Sequence, residues 1–354
     1  MTFANELLIV EAKKIEHFVR RQGVYMKVTM KDIAERTGVS VNTVSLALRD
    51  ISSVKKETRE LIRQTAAEMG YVFQKTKNEV RNIGLISTGE RLQDSYFYMS
   101  FYQTILAAVH DHGYFMMIFK GDTCDAPPEM LRDLFEKHSI SGLIILGDME
   151  ERIVTKIAGA GLPTVAIGTR YRDLTLPVII EDNSQGAYLA IKYLSEKGYQ
   201  NIGFMGNPLH STGFMERYEG FMGAMFHFGL QVHPEWLVTD LDAVDVYNYE
   251  RLQENLRKLP SIPEVFVCTN DNMAVLAAKI FREMNLSVPE DVALLGFDNS
   301  IIGKMSIPSI TSVDVQCTLQ AQNSVELLIS MMEDDTCPIM RMVLPVTLSC
   351  KESA

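Results

Sequence analysis

The sequence predicts an α/β protein: an N-terminal three-helix headpiece carrying a helix-turn-helix, then two Rossmann-like lobes of parallel sheet flanked by helices. Three observations predict it. Val28 to Asp50 reads as two short amphipathic helices joined by Gly38-Val39-Ser40, the shape of a helix-turn-helix. From Ile83 onward, short apolar runs alternate with amphipathic stretches, as parallel strands with right-handed crossovers require. That cycle runs through about Ile180 and then restarts.

The headpiece is built from caps and a turn. Thr29 is a suitable N-cap, and Asp32 three residues on completes a capping box with Asp in the Glu position. Met30, Ile33 and Ala34 then face inward. Gly38 supplies the freedom that a tight inter-helix turn needs. Ser40 is a second N-cap, for a helix from Val41 to about Leu48 with Val44 and Leu48 inward at i and i+4. Val41, Asn42, Ser45 and Leu46 fall on the other side. A third helix spans about Lys56 to Met69 and turns Leu61, Ile62, Ala66 and Met69 inward, ending at Gly70-Tyr71.

In the body, strands are expected at 83–87, 114–119, 142–146, 163–167 and 178–180, with helices near 100–113, 128–137 and 151–160 between them. The second cycle has a helix capped by Asn183, a strand at 202–205, a helix at about 216–228, and a strand at 236–239. A helix at 248–259, a strand at 265–268, a helix at 271–284 and a strand at 292–296 complete it. The chain returns through 306–316 and a helix near 318–333 and ends in 343–350.

At 354 residues the chain implies two or three domains. A hydrophobic content of 47% with 22% charged residues is that of a globular protein in water. The net charge of −11 hides a division: residues 1–82 carry 15 Lys and Arg against 10 Asp and Glu, a balance of +5, and the remainder carries −16. A basic head on an acidic body suits a DNA reader with a separate sensor. Cys124, Cys268, Cys317, Cys337 and Cys350 are scattered, without a Cys-x-x-Cys pair. They read as free buried thiols of a reducing cytoplasm. His110-Asp111-His112 is not at ligand spacing and reads as a helix-end surface cluster, so no metal is expected. No apolar run reaches membrane length, and no signal peptide is expected, because Leu7–Val10 is too short and follows Glu6. Gly203/Gly206 and Gly220/Gly223 read as close packing, not phosphate cradles, and no nucleophile elbow or carboxylate pair argues for catalysis or a cofactor. Residues 1–27 carry a helical stripe at Leu8, Ala12, Ile15 and Val19. Two readings fit it: an extra helix packing on the headpiece, or a leader ahead of a start at Met26.

Asp32-Ile-Ala, Gly38-Val-Ser, Thr43-Val-Ser, Glu57-Thr-Arg and Gly70-Tyr together closely resemble the headpiece of the LacI/GalR family of bacterial repressors. Gly198-Tyr-Gln-Asn-Ile-Gly, Arg217-Tyr-Glu-Gly-Phe, Thr269-Asn-Asp-Asn-Met-Ala, Val288-Pro-Glu-Asp-Val-Ala-Leu-Leu-Gly-Phe-Asp and Pro308-Ser-Ile-Thr-Ser-Val are similar to its sensor domain. That domain has the form of a periplasmic sugar-binding protein, with ligand between two lobes. The resemblance implies an extension at 1–27, a helix-turn-helix DNA-binding domain at 28–71, a hinge at 72–82 and an effector-sensing domain at 83–354. The first lobe would take about 83–180 and 315–343, the second about 181–314 and 344–354. With the chain ending after its last strand, the resemblance implies a homodimer whose two headpieces read a pseudo-palindromic operator.

It also implies site residues. Val41, Asn42 and Leu46 match base-contacting positions; Asn is suited to adenine, and Leu46 stands where many members have Arg. Thr29, Ser40, Thr43, Ser45 and Thr58 match phosphate contacts, which position without specifying; the plain alternative is capping alone, and one hydroxyl can do both. Arg217, Asn270 and Asp298 match cleft positions, and Asn270 and Asp298 each follow a strand, where open α/β sheets bind ligands. A forked donor, an acceptor of paired hydroxyls and an amide suit a sugar or sugar derivative. The plain alternatives are a surface charge at Arg217 and helix caps at Asn270 and Asp298. Phe97 and Tyr98 match aromatic ligand contacts, with helix-start packing as the alternative. Arg170 and Arg172 follow another strand end and leave room for an anionic group on the ligand. The segment 72–82 departs from the family: Phe73-Gln74 replaces Pro-Asn, and no Leu wedge is evident. A weak or absent hinge helix is therefore expected. The rival readings are a solute-binding receptor, a purine-controlled regulator and a sugar-processing enzyme.

Overall fold

Local hydrogen bonding sets the headpiece. The computed structural model describes residues 28–48, 56–69, 71, 81–94, 96–241, 247–334 and 337–354, with the side chains at 42, 45, 46, 56 and 57 excepted. The chain divides into two units, residues 1–79 and 80–354. In the first, α1 (Met30–Thr37) opens with a reciprocal capping box. The Thr29 N–H donates to Asp32 Oδ2 at 2.7 Å, and the Asp32 N–H donates to Thr29 Oγ1 at 3.4 Å. The Thr29 amide thereby holds the Asp32 carboxyl below its ordinary value. Gly38, at φ +73°, turns the chain in the left-handed region that a side chain disfavours. Ser40 accepts from the Thr43 N–H at 3.1 Å and starts α2 (Val41–Leu48). With α3 (Lys56–Glu68), these helices enclose Ile33, Ala34, Val44, Ala47, Ile62 and Ala66.

One inward assignment fails. Leu61 is 51% exposed, while Thr65 is buried and donates its hydroxyl to the Leu61 carbonyl at 2.9 Å. The buried stripe is centred on Ile62 and Ala66. Leu61 lies a hundred degrees round the helix from Ile62, and a helix this small covers only one face. The expectations for residues 1–27 and for 72–80 of the hinge at 72–82 lie outside the described residues, and Asn82, expected in that hinge, begins the first strand of the second unit.

The second unit holds two sheets. The first runs in the order β11-β5-β4-β3-β1-β2, with β1 (Asn82–Ser87), β2 (Phe115–Lys120), β3 (Ile140–Leu146), β4 (Thr164–Ile167), β5 (Val178–Glu181) and β11 (Arg341–Leu344) all parallel. The second runs β12-β10-β9-β8-β6-β7, from β6 (Ile202–Met205), β7 (Leu237–Val238), β8 (Val265–Cys268), β9 (Ala293–Phe297), β10 (Thr311–Asp314) and β12 (Thr347–Ser349). Only β12 is antiparallel, to β10. Apolar runs bury both faces of these strands: Ile144 and Leu146 pack into one core, Leu143 and Ile145 into another.

Helices α4 (Gly89–Gln93), α5 (Tyr98–Asp111), α6 (Pro128–Lys137) and α7 (Glu151–Gly159) join the strands of the first lobe. In the second, α8 (Asn183–Glu196), α9 (Thr212–His227), α10 (Tyr249–Arg257), α11 (Asp271–Glu283) and α12 (Ile301–Met305) do so. After β10 the chain returns to the first lobe, where α13 (Cys317–Glu333) packs on α5 and β3–β5. It thus crosses between lobes three times, after β5, β10 and β11.

Four expectations change here. Asp182, not Asn183, caps α8, accepting from the Gln185 N–H at 2.9 Å. Helix α9 begins a turn earlier than its apolar pattern suggests, because Ser211 caps it through the Phe214 N–H at 3.1 Å. Gly203 and Gly220 do lie in close packing, but a side chain on Gly223 would meet nothing. Cys124 and Cys268 are buried, whereas Cys350 is exposed on the edge beyond β12. The single-turn α4 carries no periodicity to read.

Replacing Ile62 by Ala is expected to destabilise the headpiece by about 2–5 kcal/mol, and Leu61→Ala by less than about 0.5 kcal/mol. Hydrogen exchange of the α1–α3 amides in the full chain measures both; equal effects would contradict this packing.

Candidate functional site

The ends of both sheets open onto one cavity of about 350 Å³. Leu146, Ile167 and Glu181 reach it from β3, β4 and β5, and Asn270 and Asp298 from the turns after β8 and β9. Phe97, Tyr98 and Arg217 also line it, so all five cleft residues named from the sequence share one cavity.

Arg217 lies at its floor, 5% exposed. It is no surface charge. Its Nε donates to Asn183 Oδ1 at 2.8 Å, Nη1 to the Thr269 carbonyl at 2.7 Å, and Nη2 to Glu181 Oε1 at 3.2 Å. Asp298 Oδ1 stands 3.0 Å from Nη1, and the guanidinium lies over the Phe297 ring at 4.2 Å from its centroid. Burial opposes the charge, yet the Asp298 and Glu181 carboxylates prevail and raise the Arg217 pKa. Burial pushes the Asp298 carboxyl up to about 7, against the pull of Arg217. The approach of Nη1 to Asp298 Oδ1 is a charge contact without hydrogen-bond alignment, so this buried oxygen has no aligned donor. An acceptor in that state suits a ligand hydroxyl.

Asp298 holds an unusual backbone, at φ +97°. Asp271 supports the turn that carries it, accepting from the Ser300 N–H at 2.7 Å, the Ser300 hydroxyl at 2.8 Å and the Ser312 hydroxyl at 2.6 Å. Burial raises the Asp271 carboxyl to about 6.

Asn270 is both cap and site residue. Its Oδ1 accepts from the Met273 N–H at 3.0 Å, starting α11, while its Nδ2 donates to the Tyr247 hydroxyl at 2.7 Å. Burial raises the Tyr247 phenol well above its ordinary value. On the opposite wall, Phe97 meets Tyr98 edge-on at 4.9 Å and Phe101 at 5.6 Å. The Tyr98 hydroxyl accepts from Arg91 Nε at 3.0 Å, and burial pushes its pKa up to about 12. Arg91 Nη1 also donates to Thr88 Oγ1 at 3.1 Å and to the Asp148 carbonyl. The cavity thus combines apolar ring faces with convergent donors and acceptors, the lining expected for a small polar ring compound.

Glu181, Asn183, Tyr247 and Arg91 were not identified from the sequence. Glu181 had a signal, since it directly follows Val178–Ile180 at a strand end. Asn183 read as a cap, and Tyr247 and Arg91 lie in segments without periodicity. Arg170 departs from its expected role: it is absent from the cavity lining and its Nη2 pairs with Glu216 Oε1 at 2.7 Å. Arg172 is exposed.

On the headpiece, Val41 is 46% exposed at the start of α2. Asn42, Ser45 and Leu46 lie on the same helix, with side chains outside the described residues. Thr29 and Ser40 are exposed, and Thr43 and Thr58 half-buried. The Thr29 hydroxyl donates to Asp32 Oδ2 at 2.8 Å, and the Ser40 and Thr43 hydroxyls share a hydrogen bond of 2.8 Å. Among the described residues, no acid, His or Cys cluster is arranged to hold a metal ion, and no helix is long and apolar enough to cross a membrane.

Residues 29–74 match the family model described as bacterial regulatory proteins, lacI family, and residues 191–354 match the periplasmic binding protein-like domain. The chain is 30% identical over 296 residues to the HTH-type transcriptional regulator RegA of Clostridium saccharobutylicum, covering 81% of this chain and 87% of RegA. It is 28% identical to the HTH-type transcriptional repressor CytR of Escherichia coli K12, covering 80% and 84%. Among solved structures, the transcriptional regulator CelR–cellobiose complex superposes with a TM-score of 0.66 at 22% identity, covering 92% of this chain and all of that one. The lac repressor dimer bound to operator and the anti-inducer ONPF gives 0.65 at 21% identity, covering 92% and 98%. At these identities the two structures establish the fold.

The raised Asp271 carboxyl has a consequence for stability. An unfolded Asp releases its proton near pH ~3.9, whereas the folded protein keeps that of Asp271 to about 6. The folded state binds the extra proton between those values, so the contribution of Asp271 falls as pH rises through that window. Relative to the wild type, Asp271→Asn is expected to gain on the order of 2 kcal/mol from pH ~4 to ~7. Urea midpoints across that range measure it; a loss in place of a gain would contradict the dominance of burial.

Proposed function

The chain belongs to the lacI family of bacterial regulatory proteins, and from that premise we propose that it is a cytoplasmic, non-enzymatic transcriptional repressor whose hold on its operator is set by a small polyol bound between the two lobes. It acts as a homodimer, two headpieces reading a pseudo-palindromic site. The observation that carries the effector reading is the Arg217–Asp298–Asn270 constellation in one cavity, with a buried carboxylate oxygen lacking an aligned donor. Asp298 accepts from ligand hydroxyls, Asn270 offers both polarities, and Phe97 and Tyr98 cover the apolar face of a sugar ring. A sugar or sugar derivative accords with CelR, a neighbour of like fold whose solved structure holds cellobiose. The headpiece match favours a regulator over a transport receptor.

For DNA, the reading places Val41, Asn42 and Leu46 against base edges and Thr29, Ser40, Thr43, Ser45 and Thr58 along the phosphates. Ser40 and Thr43 keep hydroxyls at the exposed start of α2, where the backbone N–H groups also favour an anion. Ligand binding shifts the lobe equilibrium and changes operator affinity by a coupling of about 1–3 kcal/mol.

Two experiments test this. Duplexes selected from a random pool by the full-length protein should yield a pseudo-palindrome, and Asn42→Ala should lose about 1–3 kcal/mol of discrimination at one base position with little change in binding to random duplex. Equal loss on both duplexes would remove the base-contact role. A thermal-shift screen of neutral sugars, sugar acids and nucleobases should return a sugar whose shift Asp298→Asn abolishes, while that variant still binds the selected duplex. A nucleobase hit, or a sugar shift untouched by Asp298→Asn, would overturn the assignment.

A further inference from the structure

Arg170 and Glu216 belong to different lobes. Arg170 lies three residues past β4 of the first sheet, and Glu216 sits on α9, which packs against α8 of the second lobe. Their side chains meet at 2.7 Å, with Arg170 39% and Glu216 14% exposed. The other carboxylate oxygen of Glu216 accepts from Asn183 Nδ2 at 2.9 Å. Asn183 Oδ1 accepts in turn from Arg217 Nε at 2.8 Å. Asn183 is the first residue of α8, directly past the crossover from β5. Its amide has one workable orientation, since a flip would set NH₂ against the Arg217 N–H and oxygen against the carboxylate. A continuous chain of contacts therefore runs from Arg170 through Glu216 and Asn183 to the cleft guanidinium.

Two further contacts bridge the lobes. Arg217 reaches Glu181 on the first sheet, and the Ile301 N–H donates to the Tyr96 carbonyl at 3.4 Å. Glu181 and Tyr96 line the cavity, as does Arg217; Arg170 and Glu216 do not. We infer that the Arg170–Glu216 pair is an inter-lobe clasp that positions Arg217 through Asn183 and sets how readily the cleft opens. Arg170 and Glu216 are positioning residues. A ligand in the cleft does not compete with their contact, whereas opening the lobes breaks it and leaves the Glu216 carboxylate, mostly buried, without its cation. The consequence for effector affinity rests on the function proposed above; the clasp itself is tested without any effector.

Cys317 supplies the readout. It is the first residue of α13 and packs, with Phe97, against the cores of both lobes. Cys350 is exposed and serves as an internal rate standard. In the full-length protein, N-ethylmaleimide modification of Cys317 relative to Cys350, followed by peptide mass spectrometry, reports lobe opening. Arg170→Met should speed Cys317 labelling about fivefold, the scale of one partly buried ion pair, and Arg170→Lys should stay within about twofold of wild type. Glu216→Gln keeps an acceptor for Asn183 and removes the charge, so it should match Arg170→Met and carries the test if that variant does not fold. Unchanged labelling in the neutral variants would overturn the clasp, as would equal acceleration in Met and Lys. That failure would leave the sugar screen and its Asp298→Asn control standing, and failure of the screen would leave the clasp standing.

Discussion

A single buried cation shared by two lobes governs this sensing unit. Burying a guanidinium and two carboxylates carries a desolvation penalty of several kcal/mol per ion. It is tolerable because Arg217 makes three aligned hydrogen bonds at once, to Asn183, Thr269 and Glu181, and a charge contact with Asp298. The partners come from both sides: Glu181 ends a strand of the first sheet, and Asp298 follows a strand of the second. Arg217 and Asp298 both belong to the second lobe, and Glu181 is the partner that the first lobe supplies. The Arg217–Glu181 pair ties the lobes at the place where a ligand would sit, and removing Arg217 would strand buried carboxylates at about 3–5 kcal/mol.

The rest of the site serves that arrangement. The Asp298 backbone, in a region that side chains disfavour, is pinned by its own N–H to the Val313 carbonyl at 2.8 Å and by the Asn299 N–H to Ser312 Oγ at 2.9 Å. Asp271 fixes Ser300 and Ser312 behind it. Strain in a turn survives only where the surroundings over-determine it, and here β10 and the start of α11 do so. The headpiece is organised by different means. Its stability resides in caps, one left-handed glycine and a core of six small or branched side chains, with no buried charge among its described core residues. The described core of the unit facing nucleic acid therefore holds no charge, and the sensing unit buries several.

How far the sequence could be read follows from this division. Capping residues act within four positions, so Thr29, Gly38 and Ser40 were legible as they stand. Strand ends are legible as well, because an apolar run stops there, and they agreed with the family resemblance that placed Asn270 and Asp298 at the cleft. Family resemblance placed Arg217 there, but no local pattern distinguishes a helix arginine that is 5% exposed from a solvated one. Only the partners decide, and Glu181 and Asp298 are distant in sequence. Arg170 shows the converse. Its position past a strand end satisfied the same rule, yet a carboxylate from another element claimed it first. Leu61 read as core because a stripe of four apolar residues is wider than the face that a three-helix unit can cover. Asn183 read as a cap because Asn is a good one; the adjacent Asp182 took that role and freed the amide for Glu216 and Arg217.

The same geometry sets the cavity at the first crossing between the lobes, because Glu181 lines it. The chain crosses between lobes after β5, β10 and β11, and Glu181 is the residue at which the first crossing begins. Asn183, two positions on, begins the second lobe. At the second crossing Gln316 adopts φ +56°, and Cys317 after it packs against both cores. A ligand that engages Asp298 draws on the carboxylate that shares Arg217 with Glu181, and so alters the balance of forces across the first crossing directly. Binding shifts a conformational equilibrium only through contacts that differ between the two states. In this cleft the shared guanidinium is such a contact, because it is complete only while the lobes stand at the separation that lets one cation reach both carboxylates.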